Sequence, residues 1–356
     1  MVTNSPVSRH RPASLTAVAT WQQQQAAAVT DVAELLQRLD LQATQLHPDG
    51  IDALRAASAG FALRVPHSFI ARMRVGDPAD PLLRQVLALP AETVAQPGFA
   101  SDPLAETAAR RAPGLLQKYQ GRALLVTTAA CAVHCRYCFR REYDYAADNA
   151  DQDAGRWDAA LAVLAGDPSV HEVILSGGDP LSLGNARLQG LLQQLEQLPH
   201  LRRLRLHTRS PIVLPARVDS GLQRLLAERR LPMTVVVHAN HPAEIDADVT
   251  AALRSLRATG VTLLNQSVLL AGVNDSVDAL QGLSEALHGA GALPYYLFLL
   301  DRVNGTGHFE VAVTRARALV NELNTRLPGF LVPRLVQEMP GQPGKTAVDL
   351  RVWQGD

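Results

Sequence analysis

Lysine is almost missing from this chain. Of its 34 basic residues only Lys118 and Lys345 are Lys, and the rest are Arg. Such a bias replaces Lys wherever a plain surface charge suffices, so the two survivors stand out. Arginine stays charged and is a very poor nucleophile, whereas a lysine amine can deprotonate and form a Schiff base. Cysteine is scarce too, and three residues cannot build a disulfide framework. Neither sign of charge is in excess: 34 basic residues face 34 acidic ones, and no basic run occurs. That balance argues against a broad nucleic-acid or membrane-surface binder, so neither is an expected partner. No apolar stretch reaches the roughly 18 residues of a membrane span. Residues 1–16 hold scattered Pro, Ser, Arg and His without the apolar centre of a secretory signal. The expectation is a soluble cytoplasmic protein. A 47% apolar content is ample for a core. The length of 356 residues predicts two domains, or one barrel with an extension.

Residues 1–100 read as a helical N-terminal region. Segment 31–40 places apolar residues at helical spacing, and 68–75 and 81–89 look like shorter helices. The region has no metal-ligand spacing and no glycine-rich phosphate loop, so it reads as packing or assembly structure. From about residue 121 the pattern changes. Apolar runs at 123–127, 172–175, 204–207, 234–238, 261–268 and 294–300 alternate with helix-like segments at 157–165, 186–198, 221–228, 246–258 and 277–288. This alternation predicts a parallel sheet with right-handed crossovers. Six strands are two short of a complete eight-stranded barrel. Segment 314–327 reads as a helix. Segments 330–337 and 346–353 read as strands around Met339-Pro-Gly-Gln-Pro-Gly344. The expected fold class is α/β, with a partial (β/α)6 barrel at 101–310 and a short C-terminal β-containing extension at 311–356.

The predicted strands end in polar residues. Cys131, Cys135 and Cys138 follow the first, and Ser176-Gly177-Gly178-Asp179 ends the second. His207-Thr-Arg209 and His238-Ala-Asn-His241 end the next two, Asn265-Gln266-Ser267 lies in the fifth, and Asp301 ends the sixth. In α/β barrels this rim carries the chemistry. Six such ends, with cysteines and histidines among them, favour a single site.

All three cysteines fall in one C-x3-C-x2-C spacing. Clustered thiols in a cytosolic chain point to metal or redox ligation rather than disulfides. A tetrahedral zinc site takes four protein ligands, and His134, crowded between the thiolates, is a candidate fourth. A [4Fe–4S] cluster normally takes four thiolates, so three leave one iron open to bind something else. Gly177 and Gly178 at a strand end let backbone groups approach a ligand closely.

This loop, with Tyr137 between its last two cysteines, resembles the radical S-adenosylmethionine enzymes. The partial six-stranded barrel is that family's fold. There the open iron chelates S-adenosylmethionine, and an electron from the reduced cluster cleaves it to a 5′-deoxyadenosyl radical. Ser176-Gly177-Gly178-Asp179 is similar to the family's segment for the methionine moiety. The resemblance narrows through Cys138-Phe-Arg-Arg141, Leu175-Ser-Gly-Gly-Asp-Pro180, Thr208-Arg-Ser-Pro211, His238-Ala-Asn-His-Pro242, Asn265-Gln-Ser267, Val273-Asn-Asp275 and Gly344-Lys-Thr346. These run in the order seen in lysine 2,3-aminomutases, over roughly residues 60–353.

The resemblance implies pyridoxal phosphate as a further cofactor and L-lysine as substrate. Lys345 matches the Schiff-base lysine. Lys118, Tyr119 and Arg122 match the segment that holds the cofactor phosphate. Arg140 matches the partner of the substrate α-carboxylate, and Asp301 and Glu338 match the partners of its ε-ammonium. Tyr137, His238 and Gln266 match positions near S-adenosylmethionine. The catabolic branch carries a structural zinc on extra cysteines. Here Ser276 follows Val273-Asn-Asp275 and no spare cysteine exists, so no structural zinc is expected. The short form with Glu338 resembles the branch that makes (R)-β-lysine for a separate ligase to attach to elongation factor P. A cellular one-electron donor is also implied. The rival readings are an aminomutase making free β-lysine for another pathway, a non-catalytic iron–sulfur protein and a zinc-binding structural protein.

Overall fold

A computed structural model describes residues 19–148 and 155–351. Ten strands form one sheet in sequence order. They are β1 (Arg110–Ala112), β2 (Leu115–Tyr119), β3 (Arg122–Val126), β4 (Glu172–Ser176), β5 (Arg203–Thr208), β6 (Met233–His238), β7 (Thr262–Val268), β8 (Leu293–Phe298), β9 (Arg334–Gln337) and β10 (Thr346–Ala347). Strands β1 to β3 form an antiparallel meander. From β3 to β9 every neighbouring pair is parallel. The final pair, β9 and β10, is antiparallel.

Helices cross between the parallel strands as the periodicity predicts: Asp158–Ala165, Asn185–Glu196, Ser220–Ala227, Ala247–Ala258 and Val277–Ala290. Val313–Arg326 then links β8 to β9. One face of the sheet and the inner faces of these helices share a core. Leu125, Val173, Leu206, Val235 and Leu263 of the strands pack with Leu191, Leu222, Leu253 and Leu287 of the helices. Their complete removal from water is the main stabilising term for the layer. Caps fix the helix starts: Asp219 accepts from Leu222 N at 2.7 Å, and Asp246 accepts from Val249 N at 2.9 Å.

The expected six parallel strands are seven. Strand β9, read beforehand as part of a separate extension, is hydrogen-bonded to β8 in the same sheet. It starts only at Arg334, because Pro333 has no N–H for the ladder and a 3-10 turn occupies Gly329–Leu331. Strands β1 and β2 were not foreseen. Only two of the five residues of β2 are fully buried, so its apolar signal is weak. No ladder joins β1 to β10 among the described residues. The two ends of the sheet are bridged by side chains instead. Lys118 Nζ and Tyr119 Oη of β2 each lie 3.0 Å from Glu338 Oε1, just beyond β9.

The N-terminal region is helical, with shorter helices than the periodicity suggests. The segment at 68–75 contracts to His67–Ile70 and that at 81–89 to Pro81–Arg84. The second stops because the Gln85 carbonyl accepts from Arg136 N at 2.9 Å rather than continuing the helical ladder. Trp21, Leu35, Leu54, Phe69 and Leu83 form a second core that includes Ala132 and Val133 of the cysteine loop. Among the described residues no helix is long and apolar enough to cross a membrane.

Candidate active site

The C-terminal strand ends and the β9–β10 turn enclose one cavity of about 500 Å³. Every residue given a role by the family resemblance lines it, whereas the strand-end residues His241, Asn265 and Ser267 do not. The cysteine loop supplies Cys131, Cys135, Tyr137, Cys138 and Arg140, and β4 supplies Ser176 to Asp179. His238 and Gln266 come from β6 and β7, and Asp301 from beyond β8. Lys118, Tyr119 and Arg122 come from the β2–β3 hairpin, and Glu338 and Lys345 from the turn after β9.

The loop that carries the cysteines is held in two ways. Gly178 N donates to Thr128 O at 2.7 Å and Asp179 N donates to Ala130 O at 2.8 Å. A Cβ on Gly178 would lie 2.5 Å from Ala130 O, and one on Gly177, at φ +116°, would lie 2.8 Å from Thr128 O. Both glycines are therefore required by a close approach to the cysteine loop's own backbone. Gly178→Ala is expected to cost about 1–3 kcal/mol by forcing residues 129–131 aside, read as a lowered thermal midpoint. Asp179 acts as an organiser of the rim. Its carboxylate accepts from Leu181 N, Thr208 Oγ1, Arg209 N, Ser210 N and Ser210 Oγ at 2.7–2.9 Å.

The second hold comes from the N-terminal region, which does more than pack. Arg136 is fully buried, and its Nε and Nη2 donate to Glu92 at 2.5–3.1 Å. Arg141 Nη2 donates to the same carboxylate at 2.8 Å. His134 turns toward this region: its Nδ1 lies 2.8 Å from Ala62 O and its ring stacks on Phe61 at 5.0 Å. That orientation spends His134 away from the thiols. No three His, Cys, Asp or Glu side chains converge on one metal-ion position among the described residues. Three thiols on one cavity wall, with His134 Nδ1 taken by Ala62 O, leave a tetrahedral zinc short of a protein ligand and suit a four-iron cluster with one iron open. Burial raises the Cys131 thiol well above its usual value and that of Cys138 to about 11, with Asp179 and Cys135 adding to the respective effects. A bound cationic centre offsets that resistance to ionisation.

A charged cluster occupies the other wall. Lys345 Nζ contacts Glu338, whose other oxygen takes Lys118 and Tyr119. Burial, with the nearby Lys118, lowers the Lys345 amine to about 7. Burial raises Asp301 to about 6 although Lys345 and Lys118 oppose the shift. Arg122 Nε is buried without a partner while its guanidinium stands 4.7 Å over the Tyr119 ring. An amine of lowered pKa beside a half-buried guanidinium with one buried, unpartnered N–H fits an aldehyde cofactor with an anionic tail.

Arg140 is engaged already. Its Nε and Nη2 donate to Glu106 at 2.6 and 2.9 Å, and Nη1 donates to Ser176 Oγ at 3.0 Å. Glu106, which also pairs with Lys118 at 3.0 Å, was not recognised from the sequence. Burial pushes its pKa up, but Arg140 and Lys118 overcome this and hold its carboxyl at about 2. His238 stacks on Tyr137 at 5.5 Å, and burial with Arg209 lowers its imidazole to about 3, so it is neutral. His207 also faces the cavity and is held neutral by burial, with Arg205 and Lys345 adding to the effect.

The chain is 48% identical over 334 residues to the L-lysine 2,3-aminomutase of Escherichia coli (strain K12), covering 94% of this chain and 96% of the relative. It belongs to the L-lysine 2,3-aminomutase family. The Haemophilus influenzae aminomutase is 45% identical over 87% of this chain and 91% of its own length. The aminomutase of Clostridium subterminale is 35% identical over 76% of this chain, but only 65% of the relative is matched. Residues 120–203 match the 4Fe-4S single cluster domain family. That stretch contains the cysteine loop and the Ser176–Asp179 turn, the two parts of this aminomutase-family site whose backbones interlock.

Proposed function

We propose that this chain converts L-α-lysine to (R)-β-lysine by moving the amino group from carbon 2 to carbon 3. The observation that carries the reading is the single cavity walled by Cys131, Cys135 and Cys138 on one side and by Lys345 on another. Cys131, Cys135 and Cys138 would hold a [4Fe–4S] cluster, with S-adenosylmethionine beside Tyr137, Ser176, His238 and Gln266. Lys345 would hold pyridoxal phosphate, with its phosphate on Lys118, Tyr119 and Arg122. When bound, these groups supply the radical and the conjugated ring through which nitrogen migrates.

The chain's own residues bind and orient. Asp301 and Glu338 suit a cationic side chain and would repel an acidic one. Glu338 exchanges Lys345 for the lysine ε-ammonium once Lys345 is committed to the cofactor. Arg140 takes the α-carboxylate on its Nη1 edge while Glu106 fixes the opposite edge of the guanidinium. Gly177, Gly178 and Asp179 act by fixing the shape of the cysteine loop. The neutral imidazoles of His207 and His238 add polarity to the interior without a competing charge.

The depressed Lys345 amine has a consequence for cofactor loading. Only the unprotonated amine attacks an aldehyde. With a midpoint near pH 7, loading of cofactor-free protein is expected to rise about tenfold from pH 6 to 8 and then level off. An ordinary lysine amine would gain about tenfold per pH unit well beyond that. Absorbance of the bound cofactor after rapid mixing distinguishes the two profiles.

The deciding experiment is an anaerobic assay of reconstituted protein with S-adenosylmethionine, pyridoxal phosphate, a strong reductant and L-lysine. Chiral derivatisation and mass spectrometry should show (R)-β-lysine. Cleavage of S-adenosylmethionine without β-lysine would sink the substrate assignment. We assign the product to a separate ligase that modifies elongation factor P. Support comes from Glu338, from Ser276 after Val273-Asn-Asp275 and from the confinement of all cysteines to one loop. Deleting the gene should remove the β-lysyl mass from elongation factor P, and unchanged factor would refute this role.

A further inference from the structure

We infer that Arg209 is a positioning residue that raises the reduction potential of the cluster proposed on Cys131, Cys135 and Cys138. The inference rests on that cluster assignment and concerns a residue to which the proposed chemistry gives no task. Arg209 stands at the end of β5 and is buried. Its Nη1 lies 2.7 Å from Cys135 Sγ.

The guanidinium is held through both terminal nitrogens, while its Nε is buried without a partner. Nη2 donates to Gln85 Oε1 at 2.7 Å and to Glu244 Oε2 at 3.1 Å. The backbone N donates to Asp179 Oδ2 at 2.8 Å. The group also stands 5.4 Å over the Tyr137 ring and 5.5 Å over that of Phe69. Two of these restraints, Gln85 and Phe69, come from the N-terminal region. A rigid, desolvated cation is therefore aimed at one thiolate, while Arg140, also near the loop, is paired with Glu106.

Reduction adds one electron to the cluster, takes it from +2 to +1, breaks no bond and requires no proton. The added negative charge spreads onto the thiolates. A cationic N–H donor on a thiolate stabilises the reduced state more than the oxidised one, and hydrogen bonds to sulfur are a recognised lever on cluster potential. The low-dielectric surroundings strengthen the effect. Glu244, on the far side of the guanidinium, weakens it and so sets its size.

The test is an anaerobic potentiometric titration of the reconstituted full chain with dithionite, following the paramagnetic resonance signal of the reduced cluster. Arg209→Gln is expected to keep its iron and to lose about tenfold in the reduction equilibrium, about 59 mV downward for one electron. Glu244→Gln is expected to shift upward. Arg209→Lys keeps the charge but loses the fork, and should fall between wild type and Arg209→Gln. Wild-type potentials in both Gln variants at full iron content would overturn the inference. If Arg209→Gln does not fold, the sign of the Glu244→Gln shift decides alone. If the wild type takes up no iron, the cluster assignment fails first and this inference with it.

Discussion

Lys345→Ala is expected to lower kcat for β-lysine formation by roughly 10³-fold or more, equivalent to about 4 kcal/mol of barrier. The Lys345 side chain lines the cavity, and burial lowers its amine to about 7. Lys118, the other lysine, is held between Glu106 and Glu338 at 3.0 Å from each. Borohydride treatment of cofactor-loaded wild type, followed by peptide mass mapping, should place the cofactor on Lys345. The Ala variant should carry no covalent cofactor while still reconstituting its iron. Retention of more than a tenth of the wild-type rate would show that another group performs the attachment.

The second large effect lies outside the cavity. Glu92→Ala is expected to cost about 3–5 kcal/mol, because it leaves the buried guanidinium of Arg136 without its counter-charge. Arg141 loses its carboxylate partner at the same time. Arg136 lies between Cys135 and Tyr137, so the damage should reach the thiols. The metal-free variant should show both a lowered denaturant midpoint and faster cysteine modification. Glu92→Gln keeps an acceptor for Arg136 and should be milder. A loss within about 1 kcal/mol for Glu92→Ala would show that solvent reaches the two arginines, as at surface pairs.

The parts legible in the sequence are those written as local patterns. Alternating apolar runs located six of the seven parallel strands, β3 to β8, to within one or two residues, as for 172–175 against Glu172–Ser176 and 234–238 against Met233–His238, whereas β9 starts four residues later than read. The cysteine spacing and the isolated lysines pointed to the right walls of the cavity. Glu92, Glu106, Gln85 and Glu244 were not recognised, and each is a single polar residue without a motif. They matter because tertiary structure brings them onto Arg136, Arg140 or Arg209 from distant segments. A buried acid looks like an exposed one until its arginine partner is placed in space. The glycines of the Ser176–Asp179 turn have a second reason that the sequence does not carry: the Cβ they lack would strike a neighbouring loop.

The dispersion of the cysteine loop's supports along the chain governs its order of assembly. Glu92 precedes the thiols, whereas Arg209 and Glu244 follow Cys135 by roughly 70 and 110 residues, and Arg72 reaches across to the carbonyls of Glu244 and Ile212. Contacts this distant in sequence form late, after the entropy of closing long loops has been overcome. During synthesis the three thiols therefore emerge well before the structure that shields them exists. Shielding of the loop is complete only once at least the first 244 residues are free to fold, and until then the nascent thiols are open to oxidation.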